Sequence, residues 1–351
     1  MNTDPSVKPF RNYPLNWLRV IFMDWDRTQL FVSFVILGLI ALSPLFVGSP
    51  YYLGIIVMTT LYAFIGVSWN IVAGFAGQLL IAHIIFLAIG AYTTVVLYMR
   101  LGISPWIGLL ISGVFAAALG VMISVITLRY GLKADYFALF TIALMVALKT
   151  LFLKWQYVGS ASGIGLRLNN PSWDKMIFYT KPPYLYIALM LATIGVIIQY
   201  RIYRSKMGRY FVAIREDESA AAALGVNTSL YKTLAVVIGA TMAGIGGGFY
   251  AMYITFIEPP QVFDLGVNVE IVMAAPIIGG LGSLAGPILG AIVNKPLADL
   301  VRGFLSAERS GSSLIVYGSF LILVILFMPR GLAGVLHTVY LKLRHRWMDN
   351  R

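Results

Sequence analysis

GRYFVAIREDESAAAALG, residues 208–225, is the one polar island in an otherwise apolar chain, and its apolar flanks decide the fold. It holds Arg209 and Arg215, the acidic run Glu216-Asp217-Glu218, the alanines at 220–223 and a closing Gly225. Basic residues stand on both sides (Arg201, Arg204, Lys206; Lys232) before apolar sequence resumes. A short helix over about 215–224 is expected here. The acids fall in its first turn, where they complement the positive end of the helix dipole. The alanines, Ala221 and Ala222 among them, are strong helix formers. Gly225 is placed for a left-handed cap, and Asn227, Thr228 or Ser229 can cap the next helix. Such a helix between two membrane spans has little apolar surface to bury, so it reads as a contact for something outside the membrane. An ordinary solvated loop helix fits the same residues.

Composition sets the surroundings of that island. The chain has 351 residues, 59% hydrophobic and 11% charged, with mean hydropathy +0.84. A soluble domain of this kind would expose too much apolar surface and aggregate. Its apolar runs repeatedly reach the roughly 20 residues that cross a bilayer core. Ten are read, at 29–47, 51–73, 78–99, 105–128, 135–153, 183–200, 230–257, 267–280, 287–303 and 312–328. The fold class is therefore an all-α polytopic membrane protein, and ten spans divide into two five-helix halves that an odd-numbered unit would invert. The formal charge of +12 sits in loops and tails beside the spans. That placement fits anchoring to anionic lipid and not nucleic acid. Cysteine is absent, which excludes disulfides and thiol-ligated metal. Residues 1–28 are too long and too charged for a signal leader, so the first apolar run is read as an uncleaved span.

Charge bias orients the chain. Lys8, Arg11, Arg19 and Arg27 precede the first span, Arg129 and Lys133 follow the fourth, and Lys342, Arg344, Arg346 and Arg351 close the chain. With both termini cytoplasmic, ten crossings put all of these inside together with the 201–229 loop. The segments 48–50 and 258–266 carry no Lys or Arg and fall outside. The segment 154–182 falls outside too, although it holds Lys154, Arg167, Lys175 and Lys181. The organisation expected is a cytoplasmic tail at 1–28, a first transmembrane half at 29–200, a cytoplasmic coupling loop at 201–229, a second half at 230–328 and a basic cytoplasmic tail at 329–351.

Two glycine-rich breaks interrupt the spans, Gly74-Phe75-Ala76-Gly77-Gln78 and Gly279-Gly280-Leu281-Gly282-Ser283-Leu284-Ala285-Gly286-Pro287. Breaks of this sort in both halves point to broken helices around a transport site; close helix packing or tight turns account for them equally. Backbone N–H groups exposed near Gly77 or Gly280 could receive a substrate carboxylate. Ionisable residues at membrane depth are costly and so are candidates for function. Glu270 could accept a substrate ammonium, or be an interfacial carboxylate in water. His83 could line the path, or be a hydrogen-bonded packing residue. The tentative pathway set is thus Gly77, Gln78, His83, Glu270, Gly279 and Gly280. Asn70, Asn294 and Lys295 are weaker candidates, since helix ends and snorkelling explain them.

The order of motifs adds a resemblance. Ala213-Ile214-Arg215-Glu216-Asp217-Glu218, Ala220 to Ala223, Leu224, Gly225 and Lys232 are followed by Ala243-Gly244, Gly246-Gly247-Gly248 and Tyr250. Gly279-Gly280-Leu281-Gly282-Ser283, Gly286-Pro287, Gly290-Ala291 and Pro329-Arg330-Gly331-Leu332 come next; Gly90-Ala91-Tyr92 and Asp135-Tyr136-Phe137-Ala138 with Thr141 lie in the first half. Over roughly 30–340 the chain resembles the permeases of ABC importers, specifically the M-type subunit of branched-chain amino acid uptake systems. The resemblance implies that Arg215, Glu216, Asp217, Glu218, Ala221, Ala222 and Gly225 belong to a coupling helix seated in an ATPase subunit. It implies a second permease subunit, two ATPase subunits and a periplasmic or extracellular substrate-binding protein as partners, in a bacterial-type inner membrane. ATP would be used by the partner ATPases, with no cofactor on this chain. The chain departs from the family pattern at Leu80-Ile81-Ala82-His83, where Ser-Leu-Gly-His is usual, and at Ser160-Ala161-Ser162-Gly163, where Gly-Gly is usual.

The function expected is therefore the permease subunit of an ATP-driven importer for branched-chain amino acids or a related small polar solute. Urea or short amides are alternative cargoes. No G-x-x-x-x-G-K-[ST] stretch occurs, so nucleotide binding falls to a partner. A stand-alone secondary transporter would be expected to carry more buried acids. An intramembrane enzyme is disfavoured, since only His83, His337 and His345 are available for a metal or base cluster.

Overall fold

A computed structural model describes residues 16–132, 134–166, 171–305, 312–328, 331–336 and 338. The helices in chain order are α1 Asn16–Phe46, α2 Pro50–Trp69, α3 Ile84–Leu101, α4 Pro105–Arg129, α5 Ala134–Lys154, α6 Pro182–Arg204, α7 Lys206–Glu216, α8 Glu218–Ala223 and α9 Thr228–Ile254. Then come α10 Pro259–Val262, α11 Leu265–Asn268, α12 Ala274–Gly279, α13 Gly286–Leu305 and α14 Ser312–Phe327. Two π-helical turns extend them, Asn70–Phe75 after α2 and Val269–Met273 between α11 and α12. A two-residue ribbon, β1 Ile164–Gly165 against β2 Phe256–Ile257, is antiparallel.

Eight helices among the described residues are long and apolar enough to cross a membrane, and the apolar Leu265–Gly279 is shorter. With α13, whose Lys295, Asp299 and Arg302 lower its hydropathy, these match the ten expected segments. The fold is an all-α polytopic membrane protein. The third segment starts later than its apolar run, at Ile84, because 76–83 is not a helix. Helix α1 begins at Asn16, inside the stretch expected to be tail. The basic residues Lys8, Arg11, Lys133 and Arg167 lie outside the described residues, as do Pro329, Arg330, His337 and the Lys342 to Arg351 tail.

Most of the large helix pairings follow a rule: they recur when every segment is exchanged for the one five places along, although α2 with α6 and α13 with α14 have no comparable counterpart. Helix α4 packs on α9 as α2 packs on α13, and α3 packs on α4 as α12 packs on α13. Helix α3 packs on α9 as α2 packs on α12 and its π-turn, and α1 meets α6 as α2 meets α9, each pair mapping onto itself. By this rule the counterpart of the 76–83 break is 255–264, not the second glycine-rich break. The core lies in α2, α3 and α9, where Trp69, Phe64, Phe249 and Leu61 are fully enclosed.

Small residues make that core close-packed. A Cβ on Gly90 would stand 1.9 Å from the Gly244 carbonyl oxygen, and one on Gly247 would stand 2.0 Å from that of Leu87. The α3–α9 seam is thus backbone against backbone, the small-residue packing that joins helices where lipid offers no hydrophobic drive.

Connections alternate between two faces. On one, the 76–83 turn, the 205–227 loop and the 280–285 turn meet, joined by Arg215 to Gly74 and Asn70 to Gly282. On the other, Trp106 Nε1 donates to the Trp173 carbonyl (2.7 Å), Ser104 to that of Asp174 (2.5 Å), and β1 joins β2. Two basic residues of 154–182, Lys175 and Lys181, find local neighbours there. The Lys181 ammonium lies 4.5 Å from the Tyr253 ring centre, and Lys175 stands beside Asp174 in an open cleft of about 660 Å³.

Candidate functional site

The polar island folds as two helices rather than one. Ser205 caps α7, its Oγ accepting from Gly208 N at 3.2 Å. Asp217 then turns extended (φ −156°, ψ 107°), ends α7 and caps α8, its Oδ1 accepting from Ala220 N at 2.9 Å. A carboxylate that can serve as a cap competes with continuing the helix. That is why the single expected helix over 215–224 is broken, with Glu216 closing the first piece and only Glu218 in the first turn of the second. Gly225 adopts the left-handed backbone (φ +84°), with Val226 N bonded to Ala221 O, as its place in the sequence indicates. Of the three possible caps for α9 it is Asn227, whose Oδ1 accepts from Leu230 N at 3.0 Å.

What α8 presents outward is specific. Ala222 and Gly225 are exposed and Leu224 is 86% exposed, whereas Ala221 points into the protein at 3%. Glu216, Asp217 and Glu218 are all exposed. Glu218 is ion-paired with Lys232 at the start of α9. The result is an apolar tip ringed by carboxylates on a face otherwise rich in Arg and Lys.

Arg215 connects this loop to the membrane core. Its Nη1 donates to the Gly74 carbonyl at 2.7 Å, while Nε and Nη2 grip Glu216 at 3.2 and 2.7 Å. The side-chain stem lies against Gly77, which has φ +68° and where a Cβ would stand 2.6 Å from Arg215 Cγ. The same guanidinium would be 3.0 Å from a Cβ on Gly282. Both glycine-rich breaks therefore close around one arginine. Gln78 adds a second link, Nε2 donating to the Lys232 carbonyl at 2.8 Å.

Buried amides hold the breaks. Asn70 accepts from Gly282 N (2.8 Å) and donates to the Ser283 carbonyl (2.9 Å). Gln29 Oε1 accepts from Leu284 N and Ala285 N, and Gln199 donates to Ser283 O at 3.0 Å. Gly280 N bonds Pro276 O and Gln78 N bonds Val72 O. These N–H groups, expected to be open to a substrate carboxylate, are engaged within the chain. Gly279 is packed so that a Cβ would stand 1.7 Å from the Gly286 oxygen.

His83 is wholly enclosed, its Nε2 3.0 Å from Ser68 Oγ and its ring edge-on to Phe86. Beside it Asn268 of α11, just past the 255–264 break, holds the end of the 76–83 turn, donating to Ile81 O (2.6 Å) and accepting from Ile84 N (2.9 Å). Glu270 lies two residues on, in the Val269–Met273 π-turn, 6% exposed, and ion-paired with Arg302 of α13. Its own carbonyl accepts from Asn294 Nδ2 (2.8 Å), which a π-turn permits by freeing a carbonyl from the helix ladder. Sequence reading missed Arg302, Gln29, Gln199 and Asn268. The last three carried a usable signal, an amide at the edge of an apolar run, where once buried it must find a partner.

An all-α polytopic membrane chain with two broken spans has the build of a transport subunit. The family model described as "Branched-chain amino acid transport system / permease component" matches residues 51–328, and the chain belongs to that family. It is 30% identical over 324 residues to the high-affinity branched-chain amino acid transport system permease protein LivM of Escherichia coli, covering 84% of this chain and 74% of the relative. It is 28% identical over 299 residues to the permease protein LivH of the same kind of system from Salmonella typhimurium, covering 78% and 91%. No solved structure matches.

Proposed function

We propose that this chain is one of two permease subunits of an ATP-driven importer, and that α8 is the contact for a partner ATPase on the cytoplasmic face. The observation that carries the reading is Arg215, which hydrogen-bonds the loop of the exposed tip to Gly74 and packs on Gly77 and Gly282. A push on α8 reaches both broken spans through one side chain. The face that gathers the 201–229 loop is the positive one, which supports a cytoplasmic placement with both termini inside. Leu224 and Ala222 offer apolar contact, and Glu216 to Glu218 fix its orientation. Gly77, Gln78, His83, Gly279 and Gly280 frame the inner part of the pathway, and the 660 Å³ cleft lies on the face that would meet a binding protein. The names of the relatives support branched-chain amino acids as cargo.

The test is uptake by proteoliposomes holding this chain with a second permease, ATPases and binding protein. ATP-dependent uptake of leucine, isoleucine or valine is expected; uptake without the ATPases would overturn the reading, and urea or amide uptake alone would change the cargo. In the same assay Gly225→Val is informative. No atom lies within 4 Å of a Cβ there, so the change acts only through the left-handed backbone, at about 1–2 kcal/mol. Weaker ATPase association and slower uptake are expected, as for reversing the charges of Glu216 to Glu218. Wild-type uptake in both variants would remove α8 from the contact.

A further inference from the structure

Among the described residues, Glu270, Lys295, Asp299 and Arg302 form two acid–base pairs within α13 and the π-turn before α12, where a charge is costly unless paired. Two belong to one helix: the Lys295 ammonium is 2.5 Å from Asp299 one turn on, with side chains 9% and 17% exposed, and it lies 5.5 Å from the Tyr62 ring centre. That pair is closed on itself. The other pair, Glu270 with Arg302, joins two helices and is lopsided: the carboxylate side chain is 8% exposed and the guanidinium 49%. Glu270 is also held still, its carbonyl bonded by Asn294, whose Oδ1 accepts from Tyr317 OH at 2.6 Å. Its second oxygen, Oε1, is buried and has no hydrogen-bond partner. A buried, fixed carboxylate with a vacant oxygen thus faces a half-exposed guanidinium with donors to spare.

We infer that the Glu270–Arg302 pair is an exchangeable gate that recognises a zwitterion, a substrate with an ammonium and a carboxylate close together. The inference rests on the importer reading above. The substrate ammonium replaces Arg302 on Glu270, using the vacant Oε1, and the released Arg302 takes the substrate carboxylate. Charge conservation selects the class. A plain cation would strand Arg302, an anion would strand Glu270 as a buried charge, and a neutral amide cannot replace an ionic partner. Only a zwitterion leaves both ions paired, so opening the gate and holding the cargo are one event. Arg302, missed in the sequence, becomes the residue that selects the carboxylate.

The test uses the complete reconstituted complex and radiolabelled leucine, with Glu270→Gln, Arg302→Gln and the double variant that carries both changes. Each single variant is expected to lower ATP-driven leucine uptake at least tenfold while basal ATP hydrolysis stays within about twofold. The double variant separates binding from architecture. An ion pair that serves structure alone is often replaceable by neutral partners, so recovery of wild-type uptake in the double variant would overturn the gate. The expected result is a double variant with wild-type melting temperature that still fails to transport leucine. Wild-type complexes without any ATP-driven uptake would instead overturn the importer reading, and the gate with it.

Discussion

Replacing Arg215 by alanine is expected to slow ATP-driven uptake ten- to a hundredfold while the complex still assembles and hydrolyses ATP. The side chain is 37% exposed, so truncation leaves little void, and the exposed tip of α8 keeps its own caps at Asp217 and Gly225. What disappears is the hydrogen bond to the Gly74 carbonyl and the packing against Gly77 and Gly282. A charge-assisted bond of this kind contributes about 1.5–3 kcal/mol, and losing a coupling of that size slows transport by ten- to a hundredfold. Arg215→Lys should recover only part of it, because one ammonium cannot reach Gly74 and grip Glu216 together as the guanidinium fork does. The measurements are leucine uptake and substrate-stimulated ATP hydrolysis in proteoliposomes. Full uptake by Arg215→Ala would show that the loop communicates with the spans by another route.

The second large effect is on stability. Gly90→Ala adds one methyl group at a point 1.9 Å from the Gly244 carbonyl oxygen and 2.6 Å from its Cα, and neither backbone can rotate away. Helices α3 and α9 must separate, which unpacks the seam that holds the core. Overpacking costs about 1–3 kcal/mol and occasionally more; the upper end is expected here because backbone meets backbone. Gly38→Ala in α1 is the control, since nothing lies within 4 Å of its Cβ. That change should be neutral or raise stability by up to about 1 kcal/mol through helix propensity. Thermal unfolding followed by size-exclusion chromatography in detergent separates the two. Equal melting temperatures would mean the seam is looser than its geometry.

Apolar run length determined the spans, since a bilayer of given thickness asks only for enough consecutive apolar residues. Local chemistry likewise placed the Gly225 and Asn227 caps, whose partners are within five residues in the chain. The family-like order of motifs along the loop and both glycine-rich breaks was also legible in one dimension. Other features depended on partners far away. Asp217 breaks the expected helix by a local cap, but Arg215 meets Gly74, 141 residues earlier, only in the folded bundle. Glu270 was visible as a buried acid, but its partner is 32 residues on, and nothing in that spacing distinguishes Arg302 from a snorkelling end charge. The sequence thus determined which segments cross and where they break, because those properties are local. Which breaks meet, and which charges neutralise one another, was decided by the tertiary structure, because in an apolar interior each polar group must take whatever partner the packing brings within reach.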